Sequence, residues 1–331
     1  DLVNKAIKKL ADKKFIEEGF LEAPKGEPIK NWKKTKKLIF KSTLFGDDTT
    51  NTYKKDMNEV EIAELFIESM KVFGKWADGK FKNLKLIFSM GAGVDHVLKD
   101  DTIPGHIPIC RVVDPQMAFS MTNYILMALL NHHRSWYEFQ ASQNKKHWSQ
   151  FEFTERPVKV GVLGIGYLGM HAANEIHHLG FPVFGYSNSP KKTDFPSYAG
   201  NEFIEFIKQI NVLVCTVPYT PKTHGLLNYE LFKKLKEPTY LINVSRGNVQ
   251  VEKDIVKALD KGLLSGAFLD VFEKEPLPKT SPLWDHPKVK ITPHVASLTY
   301  PKESTRQVLN CFSRLEKGLS LPNQVDRTKM Y

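Results

Sequence analysis

Cysteine is scarce in this chain of 331 residues, and its three copies lie far apart in the sequence. Cys110, Cys215 and Cys311 form no C-x-x-C pair, so the sequence predicts neither a disulfide framework nor a zinc site. Cys215 lies in an apolar run and is predicted to be a core residue. Few cysteines and no secretory pattern in residues 1–20 favour a cytoplasmic protein, with an organelle as the alternative.

Long apolar runs are also absent. The most apolar stretch, Tyr124–Leu130, is far shorter than the roughly 20 residues that span a bilayer, so no membrane segment is expected. Acidic residues are in the minority: the chain has 37 Asp and Glu against 47 Lys and Arg, which gives a net charge of +10. The lysines are scattered and no zinc-finger or RNA-recognition motif is present, so we do not expect a nucleic-acid partner.

Segments typical of strands and helices alternate through the second half of the chain. The predicted strands are Val158–Leu163, Phe181–Tyr186, Asn211–Val217, Tyr240–Val244, Leu264–Phe272 and Val289–Ile291. Helical patterns separate several of them, and Gly180 and Gly262 are placed to end two helices in the left-handed conformation. This alternation predicts an α/β fold with a doubly wound parallel sheet of the Rossmann type.

The first part of the chain has a less regular pattern. Leu38–Phe40, Ala63–Ile67 and Leu84–Phe88 resemble strands of a smaller α/β domain. Pro115–Trp136 is predicted to be one long helix that links two domains, packs against another subunit or lies in the core. A further helix is expected after Pro301.

A glycine motif follows the first strand of the alternating region. Gly164, Gly166 and Gly169 form G-x-G-x-x-G together with Tyr167 and Leu168, and a helical pattern begins at once. In this setting the glycines permit a tight turn, close approach of a pyrophosphate and close helix packing. The motif therefore predicts a dinucleotide site at a helix N-terminus.

The end of the next strand indicates which dinucleotide is bound. No carboxylate is present there to bind the ribose 2′-hydroxyl of NAD. Instead the segment offers hydroxyl, amide and ammonium groups that suit a 2′-phosphate: Ser187, Asn188, Ser189, Lys191 and Lys192. We therefore predict NADP(H) in preference to NAD(H), with Asp194 as the residue that could reverse this preference.

Three chemically active side chains follow three later strands. Arg246, Glu275 and His294 each come after a predicted strand, and the carboxyl ends of parallel strands meet at one edge of the sheet. Reduction of a 2-keto acid needs an acid to protonate the carbonyl oxygen, and histidine suits this task. A carboxylate stabilises the protonated imidazole, and arginine can bind the substrate carboxylate.

These motifs together resemble the D-isomer-specific 2-hydroxyacid dehydrogenase family, and within it the glyoxylate/hydroxypyruvate reductase A type. The matching segments span about Leu84 to Tyr331 and are as follows: Gly91–Asp95, Gly164–Gly169, Val217–Thr220 with Thr223, Ser245–Gly247, Leu269–Phe272, Glu275–Pro278, Ser281–Trp284, Thr292–Ala296 and Gln324–Arg327. The match before Leu84 is weak.

The resemblance implies a role for each matched residue. His294 would be the acid/base, Glu275 its partner and Arg246 the substrate-binding arginine. The backbone N–H groups of Ala92 and Gly93 would hold the substrate carboxylate. The coenzyme would further contact Val217, Pro218, Thr223, Val244 and Asp270, with Asp270 facing the nicotinamide carboxamide. No metal ion is implied.

The resemblance also implies an architecture. A dinucleotide-binding domain at residues 113–295 would be inserted into a flavodoxin-like substrate domain formed by residues 1–112 and 296–331. The family is homodimeric, with the helix near Pro115–Trp136 in the contact. We therefore expect a small 2-keto or 2-hydroxy acid as substrate and a second copy of the chain as partner.

Two departures from the subgroup leave alternatives open. Tyr300 stands where the subgroup has arginine, so it is a candidate substrate-binding residue and the substrate range is open. Asn188 and Pro190 stand where the subgroup has arginines on the phosphate loop. The alternatives are a dehydrogenase of D-lactate, D-glycerate or a bulkier 2-keto acid, and a dinucleotide-sensing protein similar to the corepressors that share this fold.

Overall fold

The computed structural model describes residues 38–41, 85–101, 103–150 and 155–331. The chain divides into two compact units. The first comprises the described residues up to Asp114 together with Thr299–Tyr331, and the second is Pro115–Leu298. The predicted strand Ala63–Ile67 lies outside the described residues. Among the described residues, no helix combines the length and the apolar composition needed to cross a bilayer.

Ten strands and eight helices are described. The strands are β1 (Leu38–Lys41), β2 (Leu86–Ser89), β3 (Ile109–Arg111), β4 (Val160–Leu163), β5 (Val183–Ser187), β6 (Ser197–Ala199), β7 (Val212–Cys215), β8 (Thr239–Asn243), β9 (Leu264–Leu269) and β10 (Val289–Ile291). The helices are α1 (Asp95–Leu98), α2 (Pro115–His133), α3 (Trp136–Asn144), α4 (Tyr167–His178), α5 (Phe203–Ile207), α6 (Tyr229–Phe232), α7 (Glu252–Asp260) and α8 (Pro301–Glu316).

The first unit contains a parallel sheet in the order β1-β2-β3. The predicted strands at Leu38–Phe40 and Leu84–Phe88 and the helix after Pro301 are confirmed. The C-terminal segment adds to the edge at β3, because Val325 N donates to the carbonyl of Ile109 at 2.8 Å. This bond ties the end of the chain to its first unit.

The second unit contains a seven-stranded parallel sheet in the order β10-β9-β8-β7-β4-β5-β6. Crossing from β4 outward, β5 and β6 lie on one side and β7 to β10 on the other, which is the doubly wound Rossmann arrangement. The fold-class prediction is confirmed. The short edge strand β6 was not predicted, because three residues carry too little pattern to reveal a strand.

Two apolar layers enclose this sheet, one on each face. On one face, residues of α2 and α4 such as Ile125 and Ile176 pack on Val160 and Val162 of β4. The other layer is formed by α5, α6 and α7 with the alternate strand residues, and it includes the fully buried Cys215. Since both faces are covered, the central strands β4 and β7 are apolar and buried along their whole length.

The predicted long helix over Pro115–Trp136 is confirmed, but it ends three residues earlier than predicted. Helix α2 ends at His133, and Ser135 adopts a left-handed conformation with φ of 53° before α3 begins. The break has a clear cause in Arg156. Its guanidinium donates to the carbonyl of His132 at 2.6 Å and its backbone N–H donates to the carbonyl of His133 at 3.0 Å. These bonds satisfy helix-end carbonyls that would otherwise need another helical turn.

The predicted left-handed glycines are confirmed. Gly180 has φ of 88° after α4, and Gly262 has φ of 71° after α7. Each glycine turns the chain from a helix toward the following strand, β5 after Gly180 and β9 after Gly262.

Candidate active site

The glycine motif lies between β4 and α4, as predicted. Gly164 has φ of 106°, and an added Cβ there would lie 2.9 Å from the backbone nitrogen of Val217. At Gly169 a Cβ would lie 2.2 Å from the carbonyl oxygen of Gly164. Around Gly166 there is open space, and this residue is the N-cap of a twelve-residue helix. The loop therefore leaves backbone and helix N-terminus accessible to an anion.

The predicted 2′-phosphate loop follows β5 in the same unit. Asn188, Ser189, Lys191 and Lys192 are exposed. The hydroxyl of Ser187 donates to the carbonyl of Ser189 at 2.7 Å, so it would have to rotate in order to donate to a phosphate. The exposed amide and ammonium groups need no such rearrangement.

The loop after β7 uses its predicted coenzyme residues partly for its own structure. Thr223 Oγ1 donates to the carbonyl of Pro218 at 2.7 Å and accepts from the N–H of Thr220 at 2.8 Å. Val217 packs against Gly164, which places this loop beside the glycine motif.

The other predicted coenzyme residues differ in exposure. Val244 is 5% exposed and forms part of the apolar core. Tyr167, by contrast, is 44% exposed, and Leu168 is half-buried.

Asp270 follows β9 and holds the segment that carries His294. Its Oδ1 accepts from the N–H of Val295 at 2.8 Å, and its Oδ2 accepts from the N–H of Ala296 at 2.8 Å. The backbone of His294 lies in the left-handed region with φ of 57°, a conformation that residues other than glycine rarely adopt. Burial raises the pKa of Asp270, and these hydrogen bonds oppose the increase.

His294 and Glu275 form a close pair. His294 Nδ1 lies 2.7 Å from Glu275 Oε2, while Glu275 Oε1 accepts from the N–H of Phe272 at 3.0 Å. Burial by itself would raise the pKa of Glu275, but the hydrogen bond and charge of His294 outweigh it and the pKa is lowered. An ionised carboxylate only accepts, so the proton is on Nδ1 and Nε2 faces away from Glu275.

Arg246 lies close enough to this pair for its charge to contribute to the lowered pKa of Glu275. The next residue, Gly247, makes an unusually close backbone contact: an added Cβ would lie 1.8 Å from the carbonyl carbon and oxygen of Phe272. Only glycine allows this approach. The second unit thus brings Arg246, Glu275 and His294 together at the carboxyl edge of its sheet.

The first unit holds the other three predicted substrate residues. Ser89 Oγ lies 3.2 Å from the carbonyl oxygen of Gly91 and 3.1 Å from that of Gly93, which closes the turn that contains Ala92. Thr299 Oγ1 donates to the carbonyl of Met90 at 2.8 Å. This bond brings Tyr300, which is 41% exposed, into the neighbourhood of the Ala92–Gly93 turn.

Several polar residues around the site were not predicted. Thr292 Oγ1 donates to Asp270 Oδ1 at 2.6 Å and is itself in a hydrogen bond with the hydroxyl of Tyr124. Asn243 and Gln250 form a buried amide pair beside Arg246. Thr292 begins the matched segment Thr292–Ala296 and Asn243 lies two residues before Ser245–Gly247, so the sequence could have pointed to both. Tyr124 and Gln250 have no such signal in the sequence. In the described part of the chain, no group of three His, Cys, Asp or Glu side chains could hold a metal ion.

A doubly wound parallel sheet, a glycine loop at a helix N-terminus and a histidine–carboxylate pair beside an arginine define a class of protein. This is the arrangement of an oxidoreductase that uses a dinucleotide coenzyme. The glycine loop could hold the pyrophosphate, and the histidine pair could exchange a proton with a substrate.

Comparison with known proteins identifies the family. Residues 126–296, just over half of the chain, match the D-isomer specific 2-hydroxyacid dehydrogenase, NAD binding domain. The chain belongs to the D-isomer-specific 2-hydroxyacid dehydrogenase family and is an NAD(P)-dependent oxidoreductase.

Solved structures agree with this assignment. A D-isomer specific 2-hydroxyacid dehydrogenase from Xanthobacter autotrophicus Py2, in complex with NADPH and MES, is 37% identical, covers 76% of this chain and 81% of its own, and has a TM-score of 0.73. An NADPH-dependent glyoxylate/hydroxypyruvate reductase from Sinorhizobium meliloti, in complex with NADP and sulfate, is 37% identical over 75% and 81% of the two chains, with a TM-score of 0.72.

A third solved structure is a probable 2-hydroxyacid dehydrogenase from Rhizobium etli CFN 42 in complex with NADP, HEPES and L(+)-tartaric acid. It is 38% identical, covers 76% of this chain and 82% of its own, and has a TM-score of 0.72. These similarities extend over both units, since 75–76% of the chain exceeds the length of the second unit alone.

Proposed function

We propose that this protein uses NADPH to reduce a small 2-keto acid, glyoxylate or hydroxypyruvate, to the 2-hydroxy acid. The observation that carries the proposal is the 2.7 Å contact between His294 Nδ1 and Glu275 Oε2 at the edge of the sheet where the glycine loop also opens. This contact fixes the imidazole with Nε2 directed away from its partner, as a proton donor to a substrate requires.

Each side chain has a defined task in this reaction. Bound NADPH supplies the hydride for the carbonyl carbon. His294 Nε2 gives its proton to the carbonyl oxygen as negative charge develops there, and Glu275 holds the ring in place through Nδ1. Arg246 binds the substrate carboxylate or polarises the carbonyl through its fork of donors. Asp270 holds the His294 segment and retains capacity on Oδ2 for a hydrogen bond from the carboxamide.

The coenzyme loops fit NADP. The accessible turn at Gly166 suits the pyrophosphate, because a side chain there would block the approach of the backbone. Asn188, Ser189 and Lys191 are exposed after β5 and suit a 2′-phosphate. The Xanthobacter and Sinorhizobium relatives were crystallised with NADPH or NADP, which supports the same preference here. NAD(H) is the alternative.

The identity of the acid is proposed from two sources. The name of the Sinorhizobium relative supports glyoxylate and hydroxypyruvate. In the first unit, we assign the N–H groups of Ala92 and Gly93 to the substrate carboxylate, since a glycine-rich turn lets backbone donors approach an anion. Tyr300 is assigned to the same side of the substrate. The first unit would then be the substrate domain and the second the dinucleotide domain.

We further propose that the protein is a homodimer. Phe119, Met127 and Leu130 are 62%, 42% and 40% exposed, and their spacing places them on one face of α2. An exposed apolar face of this kind is suited to a second copy of the chain.

A cytoplasmic location is also proposed, since the three cysteines are free thiols.

The test is the loss of NADPH absorbance with glyoxylate, hydroxypyruvate, pyruvate and phenylpyruvate, repeated with NADH. We expect turnover with NADPH and glyoxylate or hydroxypyruvate to exceed turnover with pyruvate or phenylpyruvate. Preference for pyruvate or phenylpyruvate would instead support the alternative, a dehydrogenase of D-lactate or of a bulkier 2-keto acid. Absence of turnover with every acid, while NADPH still binds, would favour a dinucleotide sensor.

Coenzyme choice is tested separately by Lys191→Glu. A negative charge beside a 2′-phosphate repels it, so KM for NADPH should rise about tenfold or more while KM for NADH changes little. Lys208→Glu is the matched control, because Lys208 is equally exposed but precedes β7 at the opposite edge of the sheet. Equal changes in both variants would show a general charge effect.

A further inference from the structure

Two buried amides flank the loop that carries Arg246. Asn243 ends β8, and Gln250 follows the short turn after the arginine. Asn243 Nδ2 donates to Gln250 Oε1 at 2.8 Å, and Gln250 Nε2 donates to the carbonyl of Val271 at 2.9 Å. Their exposures are 0% and 2%. Gln250 therefore connects the Arg246 loop to the segment that begins at Asp270 and continues to Glu275.

The same chain of hydrogen bonds reaches the residue before the arginine. Asn243 Oδ1 accepts from the N–H of Ser245 at 3.0 Å and from its hydroxyl at 2.8 Å. The bonds thus run from Ser245 through Asn243 and Gln250 to Val271. Buried amides without partners are costly, so this path holds both loops in one relative position.

Backbone packing makes the connection stiff. Because an added Cβ at Gly247 would lie 1.8 Å from Phe272, the two loops touch directly and leave no room for a side chain between them. A shift of one loop must therefore move the other. The Arg246 loop and the segment from Asp270 to Glu275 are thus joined both by this backbone contact and by the amide path.

We infer that Gln250 is a positioning residue that sets the place of the Arg246 guanidinium relative to the His294–Glu275 pair. This inference rests on the proposed function, in which Arg246 binds the substrate carboxylate and His294 protonates the carbonyl oxygen of the same molecule. Misplacement of one group by a fraction of an ångström weakens binding and chemistry together. The glycine loop follows β4, two strands away from β8, and is not part of the amide path.

The first experiment replaces Gln250 by methionine, which has a similar size but offers Asn243 only a weakly accepting sulfur and has no donor for Val271. We expect KM for the keto acid to rise about tenfold and kcat to fall severalfold. The Kd of NADPH, measured by fluorescence, should remain unchanged. The Kd of oxamate for the enzyme–NADPH complex should rise with KM, which provides a readout independent of turnover.

Asn211→Leu is the matched control. Asn211 is also an amide that joins two chain segments, since its Oδ1 accepts from the N–H of Lys159 at 2.7 Å and its Nδ2 donates to the carbonyl of Pro157 at 3.0 Å. It lies at the amino edge of the sheet, so its loss should lower Tm and leave kcat and KM unchanged. A purely structural role for Gln250 would make Gln250→Met behave in the same way.

Gln250→Glu serves as the second variant, because it retains an acceptor for Asn243 and loses the donor to Val271. It should show the same rise in KM if the methionine variant does not fold. Unchanged kcat/KM in a folded variant, or failure of both variants to fold, would overturn the inference. A wild-type protein inactive on every keto acid would instead overturn the proposed function, so the two failures are distinct.

Discussion

The seven-stranded sheet carries a histidine–carboxylate pair at each of its edges. At the carboxyl edge, His294 Nδ1 lies 2.7 Å from Glu275. At the amino edge, His286 Nε2 lies 3.5 Å from Asp260, and its Nδ1 accepts from the N–H of Lys288 at 3.2 Å. Both ring nitrogens of His286 thus have protein partners, whereas Glu275 engages only the Nδ1 side of His294.

The surroundings of the two pairs also differ, and they hold His294 more firmly than His286. Asp270 clamps the left-handed segment of His294 with hydrogen bonds from two backbone N–H groups, and Arg246 lies near Glu275. The Asp260 side chain is 64% exposed, which weakens its attraction for His286. A histidine near a carboxylate is therefore a common structural feature. It becomes suited to catalysis when one nitrogen is oriented and the other is left for a substrate.

The largest expected effect comes from breaking the carboxyl-edge pair. His294→Ala removes the proton donor, so kcat for keto-acid reduction should fall about 10²- to 10⁴-fold. NADPH binding, followed by fluorescence, should persist because the glycine loop is untouched.

His286→Ala is the control for this prediction, since it removes the histidine of the amino-edge pair. It should leave kcat within a factor of about two and change only stability. Normal turnover in His294→Ala, or an equal loss in both variants, would contradict the distinction between the two edges.

The next effect concerns the group beside the pair. Arg246→Ala removes hydrogen bonds to a charged carboxylate, so kcat/KM should fall about 10- to 100-fold, mainly through KM. Arg246→Lys should recover part of the loss, because it restores charge without the planar fork of donors. Steady-state kinetics at saturating NADPH measures both variants. An unchanged kcat/KM in the alanine variant would place Arg246 away from the substrate.

The smallest effect belongs to the amino edge and concerns stability. His132 stacks on Tyr240 with ring centroids 3.9 Å apart, and burial, helped by the charge of Arg156, lowers its pKa from 6.5 to about 4. The unfolded chain therefore takes up this proton first as the pH falls. The stabilising contribution is fully present above pH 6.5 and is lost toward pH 4, by on the order of 1 to 3 kcal/mol.

His132→Phe keeps a ring for the stack and removes the titration. The free energy of unfolding in urea, measured between pH 7 and pH 4, should decline less steeply in this variant than in the wild type. Parallel curves for the two proteins would show that His132 does not titrate as described.

Much of the fold followed from local pattern. Alternating apolar segments and glycines at helix ends predicted the doubly wound sheet, because strand and helix periodicity are properties of neighbouring residues. The break after His133 did not follow, since it depends on Arg156, which approaches from more than twenty residues away in the sequence. Strand β6 was too short to be recognised.

The candidate site divides in the same way. Arg246, Glu275 and His294 could be named from the sequence because each follows a strand, and parallel strands bring their carboxyl ends to one edge. The sequence did not reveal which nitrogen of His294 is held by Glu275, and it contained no sign of Gln250. Tertiary structure decided both, because ring orientation and the path from Asn243 to Val271 depend on hydrogen bonds between different loops. Such bonds form only once the sheet has brought those loops together.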